Sequence, residues 1–306
     1  MIDKKIIIGS RGSKLALNYA DRAKNEICSK LNIKEKNLEI KKIITEGDKI
    51  KDVRLSDTGG KGLFSKTIEN ELLDNKIDIA VHALKDMPSD ETSGLTTNCF
   101  LERNDPREVL ISRDKKKFND LNKGSIIGTS SFRREFQFKR IRNDLKYKLI
   151  RGNVDTRIKK LNEKNFDAII LSFAGLHSLK LDQNITQIFS TSEIIPSAGQ
   201  GTIALQCREN DGEIIKILKK INHELTYKCV IAERDVLKTL NGDCETPIGV
   251  FANIKNNELN LETELFSLDG KDRFYESLST ELKNFKKIGL EVGTILKKKS
   301  KNSYKK

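Results

Sequence analysis

Tryptophan is absent from this 306-residue chain, and proline, methionine and histidine number only 4, 2 and 3. Aromatic residues make up 6%. No platform of rings is therefore available for stacking bases, which counts against a nucleic-acid partner although the formal charge is +13. No apolar run approaches the ~20 residues that a membrane-crossing helix needs, so no membrane association is expected. The five cysteines, Cys28, Cys99, Cys207, Cys229 and Cys244, form no CxxC pair. That sparse, odd set predicts no disulfide frame and a reducing compartment, the cytoplasm. His82, His177 and His223 have no ligand spacing with one another or with cysteine, so no metal site is expected. There is no GxSxG elbow, and no histidine partner for a nucleophilic cysteine can be identified. The opening Met1-Ile-Asp-Lys-Lys-Ile-Ile-Ile-Gly9 enters a strand at once and leaves no room for a signal peptide ahead of it.

What the chain does contain is alternation. Residues 5–8, 38–44, 78–81, 124–127, 147–150, 168–171 and 201–206 read as strands. Leu15, Tyr19, Ala23, Ile27 and Leu31 mark one face of a helix, and further helices are expected at 64–73, 134–141 and 154–161. Strands alternating with helices predict an α/β architecture with open, mostly parallel sheets. After about residue 210 the pattern changes. Helices over 213–221 and 225–240 precede alternating strands at 250–254, 258–266 and 273–278, with turns at Asn256-Asn257 and Asp269-Gly270. A helix from about 281 to 296 completes a small α+β unit, and the lysine-rich tail over 297–306 is expected to be solvated or frayed. Cys28, Cys99, Cys207 and Cys229 lie in apolar surroundings and read as packing residues.

In open α/β sheets ligands bind beyond the carboxyl ends of the strands. The residues there include Arg11 and Ser13 after the first strand and Thr45-Glu-Gly-Asp48 after the second. They continue with His82-Ala-Leu-Lys-Asp-Met-Pro88, Gly128-Thr-Ser-Ser-Phe-Arg-Arg134 and Arg151-Gly-Asn-Val-Asp-Thr-Arg157. Gly128-Thr-Ser-Ser reads as a helix N-terminus suited to a carboxylate or phosphate. Arg133 and Arg134 add planar forks for carboxylates, and Arg11, Arg151 and Arg157 repeat the theme. Each arginine taken alone is open to a capping or ion-pairing role; five at successive strand ends favour one anionic ligand. Gly59-Gly-Lys-Gly-Leu-Phe64 lacks P-loop spacing and reads as a mobile segment over the cleft. Asp86 is an acid among cations and is expected to be ionised, placed to stabilise a cation or pass a proton. An N-cap role for a segment after Pro88 is the competing reading.

Cys244 is the residue least easily explained as packing. It lies in Asn241-Gly-Asp-Cys-Glu-Thr-Pro-Ile-Gly249, a loop after a helix. A reactive or attachment thiol and an inert surface thiol are both open from the local sequence.

Taken together, Arg11-Gly-Ser-Lys-Leu-Ala16, Gly59-Gly-Lys-Gly-Leu-Phe64, Asp78-Ile-Ala-Val-His-Ala-Leu-Lys-Asp-Met-Pro88, Gly128-Thr-Ser-Ser-Phe-Arg-Arg134, Arg151-Gly-Asn-Val-Asp-Thr-Arg157, Pro196-Ser-Ala-Gly-Gln-Gly201 and Gly242-Asp-Cys-Glu-Thr-Pro-Ile-Gly249 resemble the porphobilinogen deaminase (hydroxymethylbilane synthase) family. The segments run in family order across nearly the whole chain. The resemblance implies two α/β domains like the halves of a type II periplasmic-binding-protein fold, with mixed sheets, and a small C-terminal α+β domain. The implied bounds are 1–101 with 197–218, then 102–196, then 219–306. It further implies a dipyrromethane cofactor held by a thioether on Cys244. On that primer four porphobilinogen molecules are condensed head to tail with loss of ammonia, and water releases hydroxymethylbilane.

By the same resemblance Asp86 is the catalytic acid. Lys85, Thr129, Ser131, Arg133, Arg134, Arg151 and Gln200 hold the cofactor, and Arg11, Ser13, Phe64 and Arg157 meet the substrate. A monomer without metal is implied. Three positions depart from the family pattern: Ser178 where arginine is common, Asp57 where lysine is common, and Asp243 where glycine is frequent. The competing functions are an anion-binding protein of the same two-lobed fold and, on charge alone, a nucleic-acid binder.

Overall fold

The computed structural model describes residues 5–49, 62–243 and 246–305. The strands are β1 (Ile6–Arg11), β2 (Leu38–Ile43), β3 (Ile79–Ala83), β4 (Leu95–Phe100), β5 (Glu108–Ser112), β6 (Ile126–Gly128), β7 (Lys146–Lys148), β8 (Ala168–Ser172), β9 (Gln187–Ile188), β10 (Ile203–Arg208), β11 (Ile248–Lys255), β12 (Glu258–Phe266) and β13 (Arg273–Glu281). The helices are α1 (Lys14–Leu31), α2 (Glu46–Lys49), α3 (Lys66–Leu73), α4 (Phe132–Ile141), α5 (Val154–Asn162), α6 (Phe173–Ser178), α7 (Gly212–Ile221), α8 (Glu224–Leu240) and α9 (Phe285–Ser300).

Among the described residues the strands form three sheets, ordered β2-β1-β3-β10-β4, β7-β6-β8-β5-β9 and β11-β12-β13. The first two share one plan. Each has a parallel trio, β2-β1-β3 or β7-β6-β8, followed by a strand that has just crossed from the other sheet and runs antiparallel. This is the strand order of type II periplasmic-binding-protein lobes, and the fold class expected from the resemblance holds. The expectation of mostly parallel sheets needs correction. β10 returns antiparallel between β3 and β4, and β5 does the same between β8 and β9. The strands β4 and β5 were not anticipated. β5 opens on a buried acid, Glu108, which masks an otherwise apolar run.

Burial follows the pleat. On β3, Val81 joins Ile6, Ile8, Tyr19, Ala23 and Ile27 in the core under α1 and α7. Ala80 faces the other way and joins Ile68, Leu72 and Ile77 under α3. Asn32 closes α1 in the left-handed region at φ 52°, a conformation that asparagine tolerates. The third sheet is covered by α8 and α9, whose Val236, Leu240, Ile288, Val292 and Leu296 pack on Val250, Leu259 and Leu261.

The tail departs from expectation. α9 continues through Ser300, and beyond it Tyr304 folds back into the core and donates its hydroxyl to the Leu240 carbonyl at 2.8 Å. The apolar spacing of α9 ends at Leu296, so the sequence pattern gave no warning of a buried ring eight residues on. Replacing Tyr304 by alanine should lower unfolding free energy by about 3 kcal/mol in a urea titration. Lys305→Ala, at an exposed neighbour, should stay within about 0.5 kcal/mol of the parent.

Candidate active site

β3 delivers Asp86. The strand ends at Ala83, and a single 3-10 turn over Leu84–Asp86 reverses the chain toward the cleft. Leu84 anchors the turn: it is buried, and its amide donates to the Thr202 carbonyl at 3.0 Å. Gly199, at φ +71°, lies so close that a Cβ there would come within 2.6 Å of the Leu84 side chain. No helix follows Pro88, so the N-cap reading of Asp86 has no helix to cap. Asp86 shares a cavity with Arg11, Ser13, Tyr19, Phe64 and His82.

The opposite wall of that cavity is set by β1 and the approach to α3. Ser13 caps α1, its Oγ accepting from the Ala16 amide at 3.3 Å. The Arg11 guanidinium stacks over the Phe64 ring at 4.0 Å from its centroid, a contact that orients the planar cation. Phe64 is seated on Gly47, where a Cβ would collide with the ring at 2.4 Å.

The second lobe supplies a helix N-terminus. Ser131 caps α4 and accepts from the Arg134 amide at 3.4 Å, while buried Thr129 accepts from the Ser131 amide at 3.2 Å. Behind this turn lies Glu108, fully buried at the start of β5. One of its oxygens, Oε1, accepts from Arg133 at 2.7 Å and from Gln200 at 2.9 Å. The other, Oε2, lies 2.8 Å from an Arg134 nitrogen. Arg133 also donates to the Ile195 carbonyl at 3.0 Å, and Arg134 to the Ile170 carbonyl at 3.3 Å. Gln200 extends the network: its Nε2 donates to the Pro106 carbonyl at 2.7 Å and its Oε1 accepts from Lys85 Nζ at 3.3 Å. Burial alone would raise the Glu108 pKa, but Arg134, Arg133 and Lys85 outweigh it and hold the carboxyl down at about 2.

Positive charge nevertheless exceeds negative. Burial, with Arg134 beside it, pulls Lys85 down to about 8 despite Asp86 and Glu108. Burial, Arg134 and Arg151 together pull Arg157 down to about 10. Cations depressed by burial and then by one another suit a polyanion, since added carboxylates would relieve both shifts. Arg157 Nε is held by the Gly152 carbonyl at 2.8 Å. A pyrrole chain bearing several carboxylates fits this donor set.

The structure thus sets Arg11, Ser13, Phe64 and Asp86 around one cavity, Lys85, Arg134, Arg151 and Arg157 within electrostatic reach of Asp86 or of one another, Thr129 and Ser131 at the α4 N-terminus, and Gln200 on Lys85. Arg133 is turned into the protein, its fork taken by Glu108 and the Ile195 carbonyl. Cys244, Asp57 and the segment 59–61 lie outside the described residues. Asp243, just before the cysteine, accepts from Thr246, which in turn accepts from the Asp243 amide at 2.9 Å. Sequence reasoning missed Glu108, Tyr19 and the buried pair Glu69 and Gln206. An acid opening an apolar strand was the available signal for Glu108.

Comparison with known proteins gives a consistent result. The model of the porphobilinogen deaminase, dipyromethane cofactor binding domain matches residues 6–216, and that of the porphobilinogen deaminase C-terminal domain matches 227–298. The porphobilinogen deaminase of Staphylococcus epidermidis is 42% identical over 300 residues, covering 96% of this chain and 95% of that protein. The Bacillus mycoides protein of the same name is 44% identical, over 87% and 86%. Among solved structures, a substrate binding domain of a putative amino acid ABC transporter from Streptococcus pneumoniae aligns with TM-score 0.43 at 15% identity, covering 71% of this chain and 92% of that one.

Glu108→Gln should destabilise the fold by about 3–5 kcal/mol in denaturant titration, because two buried guanidinium groups lose their counter-charge. The sign with pH follows from the depressed carboxyl. Its contribution is complete above the ordinary carboxylate value of 4.5 and is lost as pH falls toward about 2. Acid unfolding of the parent should therefore carry a component over that window that the Gln variant lacks.

Proposed function

This chain belongs to the porphobilinogen deaminase family, and we propose that it condenses four porphobilinogen molecules head to tail on a dipyrromethane primer carried by Cys244, releasing ammonia at each step and hydroxymethylbilane at the end. The chain is a transferase of tetrapyrrole biosynthesis. The primer supplies a nucleophilic pyrrole α-carbon. The observation that carries the reading is the crowding of buried cations around one acid. Lys85, Arg134 and Arg157 crowd the cleft, and Asp86 is the carboxylate set among them.

Each residue has a task set by its chemistry. Arg134, Arg151, Lys85 and the α4 N-terminus with Thr129 and Ser131 bind the acetate and propionate groups of the primer. Hydrogen bonds to charged partners are worth about 1.5–3 kcal/mol each. Gln200 aims Lys85 at the cleft, and Arg133 serves by positioning α4 through Glu108. Arg11, Ser13, Phe64 and Arg157 receive the incoming pyrrole. Asp86, acceptor-only when ionised, faces the pyrrole N–H groups and stabilises the positive charge that appears on the ring as the amine leaves. Residues 1–101 with 197–218, 102–196 and 219–306 are the three domains of this reading. It needs no metal, no nucleic acid and no membrane, and a monomer working in the cytoplasm suffices.

An intact mass with peptide mapping should find two linked pyrrole units on Cys244, and Cys244→Ala should leave a folded protein without them. A bare thiol after expression with porphobilinogen present would sink the attachment site. Asp86→Ala should lower turnover roughly 10²–10⁴-fold while the primer stays in place; near-wild-type turnover removes Asp86 from the mechanism. Before the primer is loaded Lys85 loses its proton as pH rises through about 8, so primer assembly from porphobilinogen by the apo-protein should slow above that pH. Lys85→Arg, charged throughout, should flatten the decline.

A further inference from the structure

His82 lines the cavity of Asp86, and the roles above leave it unused. The pleat of β3 sets His82 on the same face as Ala80, toward α3. There it meets a buried polar chain. His82 Nε2 lies 3.2 Å from Gln206 Oε1, and Gln206 Nε2 lies 3.2 Å from Glu69 Oε1. Thr92 Oγ1 donates to the second Glu69 oxygen at 3.0 Å. His82, Gln206 and Glu69 are all buried.

The direction of this chain is forced. An amide nitrogen only donates, so Gln206 Nε2 gives its hydrogen to Glu69. That leaves Gln206 Oε1 to accept, and His82 Nε2 must carry the hydrogen. Turning the Gln206 amide over would set its oxygen against the Glu69 carboxylate. The remaining ring nitrogen, Nδ1, therefore presents a lone pair, and it has no hydrogen-bond partner among the described residues. Burial, with Arg11 nearby and against the Gln206 bond, pulls the imidazole pKa down to about 4. The ring is neutral at physiological pH.

We propose that His82 Nδ1 accepts a hydrogen bond from the aminomethyl nitrogen of the incoming porphobilinogen and so positions the leaving amine, an inference that rests on the deaminase reading. Arg11 in the same cavity can only donate, and Asp86 is assigned to the ring N–H. The amine needs an acceptor of its own. A neutral one suits the step. As the C–N bond breaks, its electron pair departs with nitrogen as ammonia, and the positive charge passes to the pyrrole ring that Asp86 faces. The new C–C bond then forms, and the proton lost from the attacked α-carbon is taken up by ammonia or water. A carboxylate in place of His82 would stabilise the ammonium ground state and oppose departure; a neutral acceptor orients it with far less of that penalty.

The test uses the primer-loaded enzyme and three variants: His82→Phe, His82→Asn, whose Oδ1 replaces Nδ1 as acceptor, and Gln206→Met, which releases the tautomer. Three readouts are taken: kcat/KM for porphobilinogen, the affinity for the same pyrrole bearing methyl in place of aminomethyl, and ¹⁵N chemical shifts of the histidine ring. The parent ring should show the Nε2–H tautomer at pH 7. His82→Phe should lose roughly 10–100-fold in kcat/KM, with the methyl analogue bound as tightly as by the parent. His82→Asn should recover most of that loss, and Gln206→Met should fall between the two. Equal losses for substrate and methyl analogue would overturn the contact, as would full activity in His82→Phe, no recovery in His82→Asn, or the Nδ1–H tautomer in the parent. A loaded parent enzyme that forms no hydroxymethylbilane would refute the deaminase reading itself, and the substrate contact with it. The ¹⁵N shifts identify the tautomer in either case.

Discussion

Glu108 is the constraint on which the cleft depends. It is a fully buried carboxylate, and it is the point where the two lobes, the return crossover and α4 meet. Arg133 and Arg134 reach it from the first turn of α4, and Gln200 reaches it from the return crossover. Through Gln200 the network touches Lys85 on the other lobe. Such a cluster is not a source of stability in itself. Its desolvation cost is large, and an apolar replacement of the same shape could serve the fold as well. What the cluster supplies is specificity of placement. Arg134 and Lys85 are held at fixed positions by hydrogen bonds, close enough for each charge to act on the other.

A second buried acid does the same for the third unit. Glu233 on α8 pairs with Arg103 at 2.6 Å and accepts from the Gly199 and Ala252 amides at 2.6 and 2.8 Å. It therefore joins the outgoing crossover, the return crossover and β11. Arg103 also donates to the Gln200 carbonyl at 2.9 Å, so the two acids are linked through one residue pair. The cation-rich face of the cleft is thus braced from behind by two carboxylates. The imbalance of charge in front is confined to the space where a ligand carrying carboxylates would sit. The stacking of Arg11 on Phe64 belongs to the same logic, because the ring face helps to orient the guanidinium.

The strand ends were legible in the sequence because their chemistry is local. A short polar motif after an apolar run announces a loop at the carboxyl edge of a sheet, and Arg11, Asp86, Arg134 and Arg157 were all found that way. The limits of that reasoning are equally physical. Arg133 and Arg134 are adjacent, and both reach Glu108 and a backbone carbonyl, Ile195 for Arg133 and Ile170 for Arg134. Only the three-dimensional surroundings separate them: Arg134 lies close enough to Arg157 to depress it. Glu108, Glu233, Glu69 and Gln206 are polar residues inside apolar segments whose partners lie from 19 to 137 positions away in the chain. Periodicity registers them as noise. The antiparallel return of β10 also escaped, because strand direction depends on which lobe the chain has come from and not on the strand's own residues.

Position 178, a serine where the resemblance leads one to expect arginine, lies where the two lobes meet. The Ser178 carbonyl accepts from Asn18 at 2.6 Å, and the Ser178 hydroxyl turns back on the Ala174 carbonyl at 2.8 Å. Tyr19, one residue on from Asn18, lies near the same serine, while burial and then Asp86 push its phenol up to about 12. Lys14 reaches Asp155 at 3.4 Å, and Arg22 holds Asn104 and the Glu102 carbonyl. Lys14, Asn18 and Arg22 are spaced four apart and form one stripe of α1 facing the second lobe and the crossover. A line of polar contacts along α1 therefore joins the first lobe to the second lobe and the crossover. Through Tyr19 that line ends at the wall of the cavity that holds Asp86.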